Sequence, residues 1–249
     1  LSNLHRYKDA LVCLNKVTSI SPDNGIAWWR QGEVLNKLEQ NEEAIKSYDT
    51  AARILPQEAQ LQCDKAQLLV RLKRYEEAVV CYDQAIKLDP KDQDAFYNKG
   101  NLLYRLNMLD EAVACYNEVI NLDKGHIKSW YNKGVILSGI GEHKQAIECY
   151  VHVIELNPSY VNAWYNQGLS FAELKESEKA VECLDKVINL DGSYYKAWLK
   201  KGKLLEGMKR DQAALLCYEE VIRINGTDTD ALLGKARLLM SMNKQQEAL

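Results

Sequence analysis

The chain has 249 residues, a formal net charge of −3 and 47% hydrophobic residues, enough apolar side chain to build a core. Charged residues make up 27%, an ordinary share for a globular protein, so wholesale disorder is excluded. No apolar run reaches the ~18 residues needed to cross a bilayer, and no charged start followed by a short apolar stretch indicates a secretory signal. The balance of 32 basic and 35 acidic residues disfavours a protein whose main function is to coat nucleic acid.

A period of 34 residues runs through the chain. The prolines are spaced by 34, 34 and 68 residues, at Pro22, Pro56, Pro90 and Pro158. A small residue keeps the same register, at Gly32, Ala66, Gly100, Gly134, Gly168, Gly202 and Ala236. Four residues before it stands a large apolar side chain, at Trp28, Phe96, Trp130, Trp164, Trp198 and Leu232, and only Gln62 breaks this series. Sixteen residues after it stand Tyr48, Tyr82, Tyr116, Tyr150, Leu184 and Tyr218.

Each period predicts two amphipathic helices, because its apolar residues recur at spacings of three and four. In the fourth repeat, Trp130, Gly134 and Leu137 fall on one stripe, the segment 139–142 is a turn, and Pro158 follows the second helix. We expect antiparallel helices of about 13 residues, each about 20 Å long. In chain order the repeats are a half repeat at 1–24, full repeats at 25–58, 59–92, 93–126, 127–160, 161–194 and 195–228, and a partial repeat at 229–249.

These residues resemble the tetratricopeptide repeat, whose signature combines Trp, Gly, Tyr or Leu, Ala, an aromatic and Pro over 34 residues. The resemblance covers essentially the whole chain and implies an all-α, right-handed superhelical solenoid of antiparallel helix pairs. Leu1 falls near the turn before a second helix and Leu249 falls inside another one. We therefore expect the sequence to be a fragment, or the ordered part, of a longer chain.

Catalytic and metal-binding signatures are absent from the sequence. Six of the seven cysteines keep the repeat register, so neighbouring ones lie roughly 10 Å apart, too far for a disulfide. No CxxC pair exists and the four histidines are scattered, so we predict no metal site and no cofactor. We interpret the cysteines as small apolar packing residues, and seven reduced thiols favour a cytoplasmic protein. We do not expect this chain to be an enzyme.

The family resemblance implies that six positions of each first helix face a concave groove. At the fifth and sixth positions of repeats three to five these are Tyr97, Asn98, Tyr131, Asn132, Tyr165 and Asn166, with Asn101 and Asn162 beside them. An asparagine amide can both donate to and accept from one peptide unit. Three such amides resemble the asparagine ladder of O-linked N-acetylglucosamine transferase and would span about six residues of extended peptide. The same Tyr-Asn pair is also the common choice in this family generally, which leaves a default structural role open.

A second polar cluster lies in repeat six. Lys196, Lys200 and Lys203 fall on one helix face, and Arg237 follows on the inward face of the next repeat. This cluster is a candidate site for an acidic ligand. The alternative is a solvated lysine face whose repulsion is relieved by Glu206.

The sequence therefore predicts a protein-interaction scaffold that binds an extended peptide or partner segment in its groove. Its partner would be another protein or peptide, with neither nucleic acid nor a membrane involved. One alternative is a regulatory or substrate-selecting arm of a larger enzyme or signalling protein. Another is a structural repeat that self-associates end to end.

Overall fold

The structure is a computed structural model that describes residues 2–247 and the side chains of residues 5–242. Over this part of the chain the regular structure consists of fourteen α-helices. In order they are α1 (Ser2–Ile20), α2 (Gly25–Lys37), α3 (Asn41–Ile54), α4 (Ala59–Arg71), α5 (Tyr75–Leu88), α6 (Gln93–Arg105), α7 (Leu109–Leu122), α8 (Ile127–Gly139), α9 (His143–Leu156), α10 (Val161–Glu173), α11 (Ser177–Leu190), α12 (Tyr195–Gly207), α13 (Asp211–Ile224) and α14 (Thr229–Glu247). The predicted all-α helical repeat fold is confirmed.

The helices from α2 to α13 form six pairs, each with a first helix of 13 residues and a second of 14. First helices begin at intervals of 34 residues, and each one starts directly after the turn that follows the preceding second helix. At Asn24, Asp92 and Asp228 the side chain accepts a hydrogen bond of 2.9–3.0 Å from the backbone N–H three residues later. Such caps stabilise a helix by about 1 kcal/mol each.

The turn inside each pair uses one residue in the left-handed backbone region. At Gly141 that residue is a glycine, with φ of 88°. At the five equivalent positions the residue carries a side chain and φ lies between 60° and 63°: Glu39, Lys73, Asn107, Lys175 and Lys209. The turn therefore depends on backbone geometry that glycine would adopt at lower cost.

The helices form two compact units, an N-terminal half that ends at Lys124 and a C-terminal half that begins at Gly125. In both halves the buried second-helix side chain packs directly on the small residue of the first helix. A Cβ on Gly32 would lie 2.7 Å from Tyr48 Cδ1, and one on Gly134 would lie 2.7 Å from Tyr150 Cε1. Small residues at these positions therefore let the two helices approach closely.

Ion pairs connect successive repeats within each half. A lysine at the seventh position of a first helix contacts an acid sixteen residues earlier, on the preceding second helix. The pairs are Lys65–Asp49 at 2.5 Å, Lys99–Asp83 at 2.5 Å, Lys235–Glu219 at 2.9 Å, and Lys201–Asp185. Partly exposed pairs contribute at most about 1 kcal/mol each. Their main consequence is that these charges are neutralised within the chain.

The first and last helices differ from the repeat pattern. Helices α1 and α14 each run for 19 residues without the turn that divides the other pairs. For α14 this means that the first helix of the last partial repeat continues past the position where its equivalents end. The expectations about Leu1 and Leu249 themselves lie outside the described residues.

Candidate interaction surface

The predicted site residues all lie on first helices, but they divide between the two halves. Tyr97, Asn98 and Asn101 lie on α6 in the N-terminal half. The remaining residues lie on three helices of the C-terminal half: Tyr131 and Asn132 on α8, Asn162, Tyr165 and Asn166 on α10, and Lys196, Lys200 and Lys203 on α12. The structure therefore contains two separate sets of candidate residues.

In the N-terminal half, Asn98 and Asn101 line one groove of about 370 Å³ together with Gln67 and Arg105. The Asn101 amide has a structural role as well, since its Oδ1 accepts a hydrogen bond of 2.8 Å from the buried Tyr116 hydroxyl. Asn98 is half-buried and lies one helical turn away, within the same groove. The groove thus offers amide groups of both residues at one place.

The ring of Tyr97 lies over the buried tyrosine of its own repeat. Its centroid is 6.0 Å from that of Tyr116, with the planes tilted by 51°. Tyr131 repeats this arrangement in the C-terminal half, 6.2 Å from Tyr150 and tilted by 52°. These half-buried tyrosines therefore belong partly to the core.

In the C-terminal half, the predicted residues contact one another across the repeat boundary. Asn166 Nδ2 donates a hydrogen bond of 3.1 Å to Tyr131 Oη. The Tyr131 ring also lies 5.1 Å from Tyr160, and the Tyr165 ring lies 5.1 Å from Tyr194. The amide of Asn166 thus connects two repeats and keeps its carbonyl oxygen for another donor. Asn162 is exposed beside it on α10.

The same type of contact occurs in the N-terminal half with different residues. Trp29 Nε1 donates a hydrogen bond of 2.8 Å to Asp64 Oδ2, again between a fifth position and the sixth position of the next repeat. Sequence reasoning missed this link. A signal was available in the sequence. In both links a Trp or Tyr precedes an Asp or Asn by 35 residues.

The lysines of α12 are largely compensated by nearby acids. Lys203 Nζ lies 2.6 Å from Asp230 Oδ2, and Lys200 Nζ lies 4.0 Å from Glu173 Oε1. Lys196 is exposed and lines a pocket of about 270 Å³ with Tyr194. The helix face is therefore cationic, but two of its three charges already have an acidic neighbour.

Glu206 does not relieve the lysines, contrary to the alternative considered for this cluster. Its carboxylate accepts two hydrogen bonds from Arg237, at 2.6 and 3.0 Å, and a third of 2.7 Å from the Tyr218 hydroxyl. The Arg237 guanidinium holds the pKa of Glu206 below its ordinary value. Arg237 is thereby neutralised, because its guanidinium forms a bidentate, charge-assisted pair with this carboxylate.

The cysteines behave as packing residues. All seven are free thiols, and all except Cys13 are buried. Burial raises the pKa of each of the buried thiols: Cys63, Cys81, Cys115, Cys149, Cys183 and Cys217. A raised pKa keeps the thiol protonated and unreactive.

Family comparison covers most of the chain. Models described as "Tetratricopeptide repeat" match residues 1–59, 94–126, 127–160, 161–194 and 195–228, and one described as "TPR repeat" matches residues 66–107. No curated protein sequence matches the chain. Among residues 2–247, none of the helices combines the length and apolarity that spanning a bilayer requires.

Several solved structures share the fold at low sequence identity. The C-terminal part of a TPR repeat-containing protein from Cytophaga hutchinsonii superposes with a TM-score of 0.80 at 16% identity, covering 94% of this chain and 95% of that one. YrrB, described as "a TPR protein with an unusual peptide-binding site", gives 0.66 at 23% identity over 74% of this chain and 95% of its own. MamA from Desulfovibrio magneticus RS-1 gives 0.63 at 23% identity, with coverages of 69% and 97%. With its period, its helix pairs and these matches, the chain belongs to the tetratricopeptide repeat family.

Proposed function

We propose that the chain is a non-catalytic, cytoplasmic protein-interaction scaffold that binds an extended peptide along its first helices. The observation that supports this most directly is the pairing of a half-buried tyrosine with an adjacent asparagine on α6, α8 and α10. Family membership supports a binding role in general. The peptide-binding site of YrrB, which shares the fold, supports a peptide as the ligand.

The asparagine amides would recognise the peptide backbone. Asn132 and Asn166 lie on first helices of successive repeats, whose axes are separated by roughly 10 Å, close to the length of three extended residues. Each amide offers a donor and an acceptor. Asn166 donates one amide N–H to Tyr131, and its Oδ1 would accept a hydrogen bond from a peptide N–H. Tyr131 and Tyr165 would supply flat apolar contact at little cost in side-chain entropy.

The lysines of α12 would bind an acidic end of the same peptide. Lys196 is the most accessible of the three for this role, because Lys203 is paired with Asp230 and Lys200 lies near Glu173. A ligand carboxylate would have to compete with these acids. The contribution of the lysines should therefore be small and should fall further as salt is added.

The test is a peptide-display selection on the chain, followed by calorimetric titration of a selected peptide. The Asn132→Ala/Asn166→Ala variant should weaken binding about tenfold or more, since two net hydrogen bonds of about 1 kcal/mol each are lost. A matched control is Asn121→Ala/Asn189→Ala, which removes two exposed asparagines from second helices.

A second control separates binding from structure. Tyr131→Phe removes the hydrogen bond to Asn166 but leaves the amide in place. It should preserve the affinity for the peptide. Unchanged affinity in the double asparagine variant would contradict the backbone-binding role, and an equal loss in Tyr131→Phe would reduce Asn166 to a structural residue.

A further inference from the structure

One first helix lacks the large apolar residue that the other repeats carry at the fourth position. On α4 this position is Gln62, whereas the equivalents are aromatic or leucine at Trp28, Phe96, Trp130, Trp164, Trp198 and Leu232. Gln62 lines a cavity, and both the Gln62 amide and the nearby Pro56 carbonyl make no hydrogen bond with the described chain. They lie entirely within the N-terminal half, on α3, α4 and α5.

The tryptophans show what normally occupies this position. In three repeats the indole N–H donates to the backbone carbonyl six residues earlier: Trp28 to Pro22 at 2.9 Å, Trp164 to Pro158 at 2.9 Å, and Trp198 to Gly192 at 3.0 Å. In repeat two, the backbone carbonyl six residues before Gln62 is that of Pro56. None of the hydrogen bonds of the described chain is donated to that carbonyl.

A cavity of about 750 Å³ borders Gln62 and the Pro56 segment. Its lining residues are Asp49, Ala52, Arg53, Pro56, Gln57, Gln62, Lys65, Gln84, Lys87 and Leu88. This volume falls in the range of roughly 300–1,000 Å³ that is typical of ligand pockets. Ala52 and Leu88 give the cavity apolar wall, and the Pro56 segment forms one edge.

Gln62 is a polar residue whose side chain has no hydrogen-bond partner among the described residues. Its side chain is only 8% exposed, and its amide makes no hydrogen bond to any described residue. A ligand in the cavity would meet two groups with free hydrogen-bonding capacity, the Gln62 amide and the Pro56 carbonyl.

The rim of the cavity is positively charged. Of its four charged residues, Asp49 and Lys65 neutralise each other at 2.5 Å. Arg53 contacts only the Thr50 hydroxyl, at 3.4 Å, and Lys87 forms no ion pair with the described chain. Two uncompensated cations beside a recess with one apolar wall favour a ligand that combines a ring with negative charge.

We propose that this cavity binds the side chain of a tryptophan in a partner protein, presented by a short segment with acidic residues on both sides of it. The indole would occupy the position that the chain's own tryptophans fill in other repeats and would donate its N–H to the Pro56 carbonyl. The flanking carboxylates would pair with Arg53 and Lys87. The interaction would reproduce between molecules a contact that this fold already makes within one chain.

This site is distinct from the proposed peptide groove. At 100° per residue, Gln62 and Asp64 lie about 200° apart around α4, so they face opposite sides of the helix. Asp64 occupies the sixth position, equivalent to Asn132 and Asn166. The two proposals can therefore fail independently of each other.

The test measures binding of a fluorescein-labelled octapeptide with one central tryptophan between glutamates, by fluorescence anisotropy on the whole chain. We expect saturable binding that falls about tenfold or more when the peptide tryptophan is replaced by alanine. Gln62→Trp should restore the missing ring, raise the thermal midpoint and abolish binding. The matched control is Gln60→Trp, which makes the same change at an exposed position of α4.

Charge variants test the rim. Arg53→Gln/Lys87→Gln should weaken binding and flatten its salt dependence, whereas Lys46→Gln on the exposed part of α3 should not. Asn132→Ala/Asn166→Ala should leave the affinity unchanged. Absence of binding, equal binding of the peptide without tryptophan, or equal binding to a folded Gln62→Trp variant would overturn the proposal.

Discussion

The third and fourth repeats lie in different halves of the chain, and each buries a tyrosine at the same repeat position under the ring of a second tyrosine. The two repeats differ in the hydrogen bonding of the buried hydroxyl. In repeat three, Tyr116 is fully buried and donates to Asn101. In repeat four, Tyr150 is equally buried, but Val135 stands where Asn101 stood. Its hydroxyl has polar neighbours in Ser138 and Asn166 but no hydrogen bond of normal geometry. The comparison separates what the ring contributes from what the hydroxyl contributes.

A third solution occurs near the end of the C-terminal half. Tyr218 donates to the carboxylate of Glu206, which Arg237 also holds. These three repeats thus share the buried ring and differ in whether an amide, a carboxylate or no partner meets its hydroxyl, while repeat five carries Leu184 at the same position. The packing of the ring is therefore expected to dominate stability, and the hydroxyl to adjust it.

The largest effect should come from crowding the ring. Gly134→Ala would place a Cβ 2.7 Å from Tyr150 Cε1, whereas Gly168→Ala faces Leu184 at 3.4 Å and its closest atom at 3.2 Å. Overpacking costs about 1–3 kcal/mol, while alanine gains about 1 kcal/mol of helix propensity over glycine. We expect Gly134→Ala to lower the free energy of unfolding by up to about 2 kcal/mol and Gly168→Ala to be neutral or stabilising. Urea unfolding followed by circular dichroism measures both, and the opposite order would contradict this account of helix approach.

Removing the hydroxyl sharpens the comparison between the halves. Tyr116→Phe leaves the Asn101 amide oxygen without its donor and should cost about 1 kcal/mol. Tyr150→Phe removes a buried hydroxyl that has no partner and should be neutral or slightly stabilising. Hydrogen exchange of the α7 and α9 amides, measured beside the urea midpoints, assigns each effect to its repeat. Equal losses in the two variants would show that Tyr150 has a partner after all.

The smallest effect should be a pH dependence in the last repeats. Arg237 lowers the pKa of Glu206 in the folded state, so the ionised carboxylate stabilises the fold above the unfolded pKa of about 4.3. This contribution is lost as the pH falls through the folded pKa. Glu206→Gln should therefore reduce stability near neutral pH by less than about 1 kcal/mol and have no effect in acid. Thermal melts of both proteins across this pH range provide the measurement, and a difference that persists in acid would exclude ionisation as the cause.

The fold was predictable because its determinants are local and recur. Each of the four prolines follows a helix, and the apolar spacing within each period indicates two helices, so the 34-residue period predicted the helix pairs without knowledge of any long-range contact. The unbroken course of α14 was not predictable in this way. No glycine or proline stands between Gly234 and its last described residue, Glu247, but the turns at Glu39, Lys73, Asn107 and Lys175 form without either residue too, so this local signal does not distinguish the two outcomes.

The polar contacts were harder to predict than the fold. Asn166 donates to Tyr131, and Glu206 pairs with Arg237 and not with the lysines. Both contacts depend on side-chain rotamers and on the spacing between repeats, neither of which the sequence displays. The lysine–acid pairs were within reach, since the sixteen-residue spacing recurs four times. The break at Gln62 was visible, but the cavity it leaves required the positions of α3 and α5.

The left-handed turn inside each helix pair has a consequence for engineering. Five of these turns use a side-chain-bearing residue at φ of 60–63°, and all five positions are exposed and remain outside both proposed binding sites. Each such residue holds a conformation that costs an L-amino acid roughly 1 kcal/mol relative to glycine. Glycine at any of these five positions would relieve that local cost, so the stability of the array can be adjusted one repeat at a time. A designer could grade the stability of this scaffold along its length while leaving what it recognises untouched.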